Sequence, residues 1–231
     1  MFGRALQRAV DKVYAAASRT SSRPWETNAF AAKVISRSTT VVCVRKGNEV
    51  VIAADGQVTR DSEILKPNVR KVRRLGPDKD VLCGFAGTTA DAYALLDRLE
   101  SKIEEHPRQL TRAAVELAKL WRTDKYLRNL DAVLLIADSS TSLFVSGSGD
   151  VLEPHLNCAA VGSGGNVALG AARALLECET SLTAEEIAHK AVGIAADVDV
   201  FTSNVILSEK IVASEEDSGA GDEDIAETLN A

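Results

Sequence analysis

Runs of strand-forming residues alternate in blocks with pairs of amphipathic helices along this chain, and that order excludes most folds before any single residue is weighed. TTVVCV (39–44) and EVVIAAD (49–55) are β-branched runs joined by Arg45-Lys46-Gly47-Asn48, whose Gly and Asn suit a tight hairpin connection. VLCGFA (81–86) reads as a further short strand. The apolar period then becomes helical: Ala92, Leu95, Leu96, Leu99 and Ile103 share one face, as do Leu110, Ala113, Ala114, Leu117, Ala118 and Trp121, with His106-Pro107 between the two helices. Strands return with AVLLIAD (132–138), SLFVSG (142–147) and CAAVGSG (158–164). Two more helices are expected around Val167–Glu177 and Glu185–Ala196, the second started by a capping box of Thr183 and Glu186, and NVILSEKIV (204–212) closes as a strand. Strand blocks separated by helix pairs, rather than strand-helix-strand units, predict an α+β chain with antiparallel sheets covered by helix layers, not a doubly wound parallel sheet.

Charge divides the chain into three parts. Residues 1–38 carry seven basic side chains against two acids, a local charge of +5, and residues 214–231 carry seven acids and no Lys or Arg, a local charge of -7. Set against the net charge of -6, these ends leave -4 on residues 39–213, about the size of one domain. The first segment can form a helix with Phe2, Leu6, Val10, Val13 and Tyr14 on one side and arginines mostly on the other; it is Arg- and Ser-rich and acid-poor. That is the composition of a mitochondrial transit peptide, so residues 1–38 are expected to be removed and the mature protein to reside in the mitochondrial matrix. The alternative is a disordered basic arm. The acidic tail, 214–231, is too poor in apolar residues to offset its ordering entropy and is expected to be disordered.

Composition narrows the function classes. Aromatics make up only 4% of the residues, and the acidic net charge argues against phosphate-backbone binding, so no nucleic-acid partner is expected. No stretch approaches the ~18 consecutive apolar residues of a membrane span, and no membrane partner is expected. Cys43, Cys83, Cys158 and Cys178 lie far apart, and His106, His155 and His189 have no metal-ligand spacing, so neither a disulfide framework nor zinc chemistry has a visible carrier.

Ser38-Thr39-Thr40 stands where the basic extension meets the first strand. Cleavage between Ser38 and Thr39 would leave Arg37 two residues before the cut and give Thr39 a free α-amine beside its own hydroxyl. A threonine hydroxyl is a weak nucleophile until a base takes its proton, and an α-amine with a pKa of about 7.7 to 8.0 can do so near neutral pH. A nearby ammonium would lower that pKa, and a carboxylate would hold the ammonium in place. Asp55-Gly56-Gln57 follows the second strand, and Lys71 lies in the basic run Asn68–Arg74; each alone reads as a turn and a solvated face. Gly84-Phe85-Ala86-Gly87 ends a strand in small residues that allow close approach and an exposed N–H donor. Gly162-Ser163-Gly164-Gly165 opens a helix and could cradle an anion, but it lacks the Lys-Ser/Thr ending of a P-loop.

TTVVCVRKGNEVVIAADGQVT, KPNVRKVRRL, CGFAGTTADA, AAVELAKLWRTDKYLR and AVGSGGNVALGAARALL occur in that order, and with them the chain from Thr39 to Val212 resembles the HslV family of threonine-protease subunits, relatives of proteasome β subunits that partner the HslU ATPase. The resemblance implies a four-layer αββα sandwich of the N-terminal-nucleophile hydrolases. It assigns Thr39 as nucleophile and base, Asp55 and Lys71 as the supporting ion pair, Gly84 as backbone oxyanion donor, and Ser163 as the serine near the amine. It also implies a structural monovalent cation, such as Na+, on the backbone carbonyls of Ala196, Asp199 and Thr202, although Ala196 and Asp199 depart from the Gly and Cys common in bacterial members. No cofactor is implied for the chemistry itself.

The same resemblance implies homo-hexamers stacked as a dodecamer, with unfolded proteins as substrates fed by the HslU ATPase, since this chain has no ATP-binding motif of its own. The expected activity is that of a threonine endopeptidase. Two departures stand out: 38 residues precede the nucleophile, so processing is obligatory, and the acidic tail is additional. Two other readings stay open at this level, a catalytically silent ring subunit and an N-terminal-nucleophile amidohydrolase of small amides.

Overall fold

The computed structural model describes residues 39–60, 63–130, 132–178 and 180–213. The proposed leader (1–38) and the acidic tail (214–231) lie outside the described residues. In chain order the strands are β1 (Thr40–Lys46), β2 (Glu49–Asp55), β3 (Val58–Arg60), β4 (Glu63–Lys66), β5 (Val72–Leu75), β6 (Val81–Gly87), β7 (Ala132–Ala137), β8 (Ser142–Ser146), β9 (Val151–Leu152), β10 (Cys158–Gly162) and β11 (Ile206–Val212). The α-helices are α1 (Thr89–Glu105), α2 (Leu110–Thr123), α3 (Gly165–Glu177) and α4 (Ala184–Ala196).

Two antiparallel sheets form the centre, one in the order β10-β1-β2-β11 and the other β5-β6-β7-β8-β9, while β3 and β4 pair apart from both. Side chains alternate along a strand, and β1 uses that alternation to face two cores at once. Val41 and Cys43, with Val50, Ile52 and Ala54 of β2, meet Val72, Leu82, Ala86, Val133 and Leu135 of the other sheet. Val42 and Val44, with Val51 and Ala53, meet Ala168, Ala172, Ile187, Ala188, Ala191 and Val192 of α3 and α4. On the far side of the second sheet, Phe85, Leu134, Ile136 and Val145 pack under Leu95, Leu99, Leu117 and Trp121 of α1 and α2. Helix, sheet, sheet and helix therefore stack in four layers, the αββα sandwich expected.

Local signals explain most boundaries. At the start of α4 the Thr183 hydroxyl accepts the Glu186 N–H at 3.2 Å and the Glu186 carboxylate accepts the Thr183 N–H at 2.8 Å, a reciprocal cap of the kind worth about 1 kcal/mol. Strands β3, β4, β5 and β9 are not marked by the sequence patterns. All four residues of β4 are exposed, β9 has two residues, and β5 is half arginine, so none carries a hydrophobic alternation.

The two sheets approach closely at Gly84 of β6. A Cβ there would lie 2.6 Å from Val41 Cγ1 and 2.7 Å from Ile52 Cγ2, inside the inter-sheet core. Gly84→Ala should therefore overpack that layer and cost about 1–3 kcal/mol, read as a lower Tm in thermal unfolding; an unchanged Tm would mean that the sheets separate freely at this point.

Candidate active site

Several segments of the chain meet at one end of the sandwich, and most of the predicted residues converge there. Asp55 ends β2 and is fully buried. Its Oδ1 accepts the Thr40 N–H at 2.8 Å and Lys71 Nζ at 3.1 Å; its Oδ2 accepts the Gln57 N–H at 2.8 Å and the Ser203 N–H at 3.4 Å. Lys71 also donates to the Gln57 carbonyl at 2.5 Å. Gly56 brings these pieces together, since its N–H donates to Val205 O and its carbonyl accepts Val69 N–H, both at 2.8 Å. The Asp-Gly pair is thus a seam between β2, the approach to β11 and the approach to Lys71, and the basic run turns one member inward while Arg70 and Arg73 stay exposed.

Burial pushes the Lys71 ammonium below its ordinary value, opposed by the charge and hydrogen bond of Asp55. Loss of water disfavours the cation more than the carboxylate restores it. The buried thiols shift the other way: Cys43 is pushed up to about 11 and Cys83 is raised further, both chiefly by burial. Neither supplies a thiolate nucleophile near neutral pH.

Thr39 is 3% exposed and immediately precedes β1. Its carbonyl accepts the Ser163 N–H at 2.9 Å, and a Cβ on Gly162, which holds φ +98, would overlap that carbonyl. Gly162-Ser163-Gly164 therefore wraps around Thr39 and Thr40 instead of standing open as an anion cradle. The Ser163 hydroxyl donates to Asp199 Oδ2 at 2.6 Å, and so does the Thr202 hydroxyl, also at 2.6 Å. Thr202 Oγ1 lies 2.7 Å from Thr40 Oγ1. A hydroxyl has one proton, so Thr40 donates to Thr202, Thr202 to Asp199, and Asp199 also receives Ser163.

Asp199 and Thr202 thus enter through their side chains, whereas the sequence offered only their carbonyls as cation ligands. The Asp199 carbonyl accepts the Thr202 N–H at 3.0 Å and keeps a second lone pair, so a carbonyl-bound cation remains compatible with this loop. Ala196 lies at the C-terminal end of α4. Thr40, Gln57 and Ser203 were not singled out, because what matters in them is a backbone N–H, a carbonyl or a common hydroxyl that leaves no pattern.

Gly84 is the expected residue that the structure moves. Phe85 N–H donates to the Lys71 carbonyl at 3.3 Å, so in the alternating ladder the amides of Gly84 and Ala86 face β7, opposite Leu135 and Val133. The Gly84 amide is committed to strand pairing, and its missing side chain serves the inter-sheet contact. Gly87, with φ +129, has the amide direction of Phe85, toward the Lys71 side and past the last pairing of β5 with β6. Within the same small-residue run, the amide that faces the Lys71 side past the end of β5 lies three residues later, at Gly87.

Comparisons with known proteins agree with this fold. The family model described as proteasome subunit matches residues 35–211. The crystal structure of eukaryotic HslV from Trypanosoma brucei is 46% identical, covers 75% of this chain and 99% of its own, and superposes with a TM-score of 0.71. Thiobacillus denitrificans BPH, solved also in complex with epoxomicin, is 27% identical over 76% of this chain and 99% of its own, with a TM-score of 0.63.

Lys71 is the only cation within ion-pair distance of Asp55 among the described residues. Lys71→Ala would leave that carboxylate buried without its cation, at a cost of about 3–5 kcal/mol. Chemical denaturation should show a loss of that size, and an unchanged midpoint would mean that the carboxylate is satisfied by its N–H donors alone.

Proposed function

We propose, from the premise that this chain belongs to the proteasome-subunit family and within it to the HslV type of protease subunit, that it is a threonine endopeptidase acting through Thr39 after removal of residues 1–38. The observation that carries the reading is one carboxylate oxygen, Asp55 Oδ1, shared by the Thr40 amide and the buried Lys71 ammonium. It fixes a positive charge next to the backbone that bears Thr39.

In this mechanism the freed Thr39 amine takes the proton of its own Oγ, and Lys71 lowers the pKa of both groups by charge. Oγ bonds to the peptide carbonyl carbon, whose electron pair moves to the oxygen. The Gly87 N–H is the proposed donor to that oxyanion, a role typically worth about 3–4 kcal/mol of barrier. The tetrahedral species collapses by breaking the C–N bond, and the ammonium on Thr39 returns its proton to the leaving amine. Water, deprotonated by the same amine, then attacks the ester and releases Thr39. Ser163 and Thr202, whose protons both go to Asp199, keep oxygen lone pairs for the ammonium form of Thr39.

The basic, acid-poor leader supports import into the mitochondrial matrix. The absence of a P-loop in the sequence supports an HslU ATPase as the motor that feeds unfolded protein to a ring assembly, of which a stacked pair of hexamers is the proposed form. Na+ on the carbonyls of Ala196, Asp199 and Thr202 would brace the loop between α4 and β11, with no part in bond breaking.

Thr39→Ala should abolish peptide hydrolysis, at least about 10³-fold, while gel filtration shows the same assembly; retained turnover would place the nucleophile elsewhere. Intact mass of protein purified from cells should begin at Thr39. An active enzyme still carrying residues ahead of Thr39 would overturn the mechanism.

A further inference from the structure

Two hydroxyls meet at the start of β1, and the chain leaves space for them. Thr40, the first residue of β1, is fully buried and Thr202 is 5% exposed; their Oγ1 atoms lie 2.7 Å apart. Gly164 caps α3 with φ -84, a value open to any residue, so its missing side chain answers to space and not to backbone conformation. A Cβ there would overlap Thr40 Oγ1 and stand 2.8 Å from Thr202 Oγ1. The glycine therefore keeps room for this pair of hydroxyls.

Proton counting gives the contact a direction. Asp199 Oδ1 accepts the Phe201 N–H at 3.3 Å, and its Oδ2 takes the hydroxyl protons of Ser163 and Thr202, each at 2.6 Å. Thr202 has no second proton, so the proton between it and Thr40 belongs to Thr40. That donation occupies one of the two lone pairs of Thr202 Oγ1 and leaves the other open. It also holds the Thr202 side chain, since a rotation about χ1 would break the bonds to Thr40 and to Asp199 together. The donor itself is fixed by its backbone, with the Thr40 N–H on Asp55 Oδ1 at 2.8 Å and its place in the ladder opposite Gly162.

We propose that Thr40 is a positioning residue of the reaction: its hydroxyl fixes the rotamer and the proton direction of Thr202, so that the open Thr202 lone pair is kept for the Thr39 amine. The inference rests on the reading of Thr39 as nucleophile and gives its neighbour a part in the same step. Thr40 acts on the reacting atoms only through Thr202.

The test compares the wild-type chain, processed to begin at Thr39, with Thr40→Val, which keeps the shape and loses the hydroxyl, and Thr40→Ser, which keeps the hydroxyl and loses a methyl group. Steady-state hydrolysis of a fluorogenic peptide is measured on the assembled fraction from gel filtration. Thr40→Val should lower kcat about tenfold, one hydrogen bond expressed in the barrier, with KM within about twofold of wild type, and Thr40→Ser should stay within about threefold in both. A double variant with Thr202→Val should lose no more than Thr202→Val alone, because the two hydroxyls act as one unit. Wild-type kcat in Thr40→Val, an equal loss in Thr40→Ser, or a loss carried by KM overturns the proposal. So does a double variant whose losses multiply. If Thr40→Val does not assemble, Thr40→Ala takes its place with the same expectation, and failure of both to assemble would make the hydroxyl a structural tie and overturn the assignment. Thr39→Ala keeps the two ideas apart: full activity there removes the nucleophile reading, whereas an inactive Thr39→Ala beside a wild-type rate in Thr40→Val removes only this inference.

Discussion

A carboxylate and an ammonium held out of water at the end of β2 are the constraint on which the working end of this molecule depends. Burying two charges is costly, and their mutual attraction repays it only when every remaining lone pair and proton is satisfied. Asp55 meets that condition with three backbone N–H donors besides Lys71, and two of the three Lys71 protons go to Asp55 and the Gln57 carbonyl. Those donors come from the start of β1, the turn after β2 and the segment before β11. Satisfying one buried carboxylate therefore fixes three chain crossings relative to one another, and Thr39 is positioned because Thr40 is one of the donors.

The second anchor is built the same way from a different charge. Asp199 gathers the hydroxyls of Ser163 and Thr202, and Thr202 in turn receives Thr40. Thr40 thus binds one carboxylate through its backbone and the other, by way of Thr202, through its side chain. With the Ser163 N–H on the Thr39 carbonyl, the pair Thr39-Thr40 is held from both sides, which is a demanding arrangement for the first residue of a strand unless that residue must not move.

How much of this was legible in the sequence follows from what leaves a pattern. Periodicity is enforced at every position of a buried element, so the long strands, the four helices of the described residues and their covering of antiparallel sheets could be read, while the four-layer order came with the family resemblance. Thr39 stood out by its place at the end of the basic extension, whereas the roles of Asp55, Lys71 and Ser163 came with the family resemblance, because by themselves an Asp-Gly, a basic run and a Gly-rich turn look like surface. Gly84 and Gly87 are both small residues ending one strand, and only the register of β5 and β6 shows that the Gly84 amide faces the β7 ladder while the Gly87 amide faces the Lys71 side. Asp199 was noticed for departing from a common residue, and its side-chain role became visible only when Ser163 and Thr202 were found on the same carboxylate.

The position of Thr39 reconciles a demand for rigidity with a demand for processing. Ladder pairing of β1 begins at Thr40 with Gly162 and at Val41 with Ala54, so a cut before Thr39 removes no strand pairing of the described fold. Three anchors of the pair, the Thr40 amide, the Thr40 hydroxyl and the Thr39 carbonyl, lie on the C-terminal side of that cut. Had the nucleophile stood one residue deeper, its free amine would have been the group that Asp55 binds, and a carboxylate on the base would raise its pKa and hold it protonated. Placing the proposed nucleophile one position ahead of the strand leaves Asp55 to the amide of Thr40 and leaves the proposed amine to be tuned by Lys71.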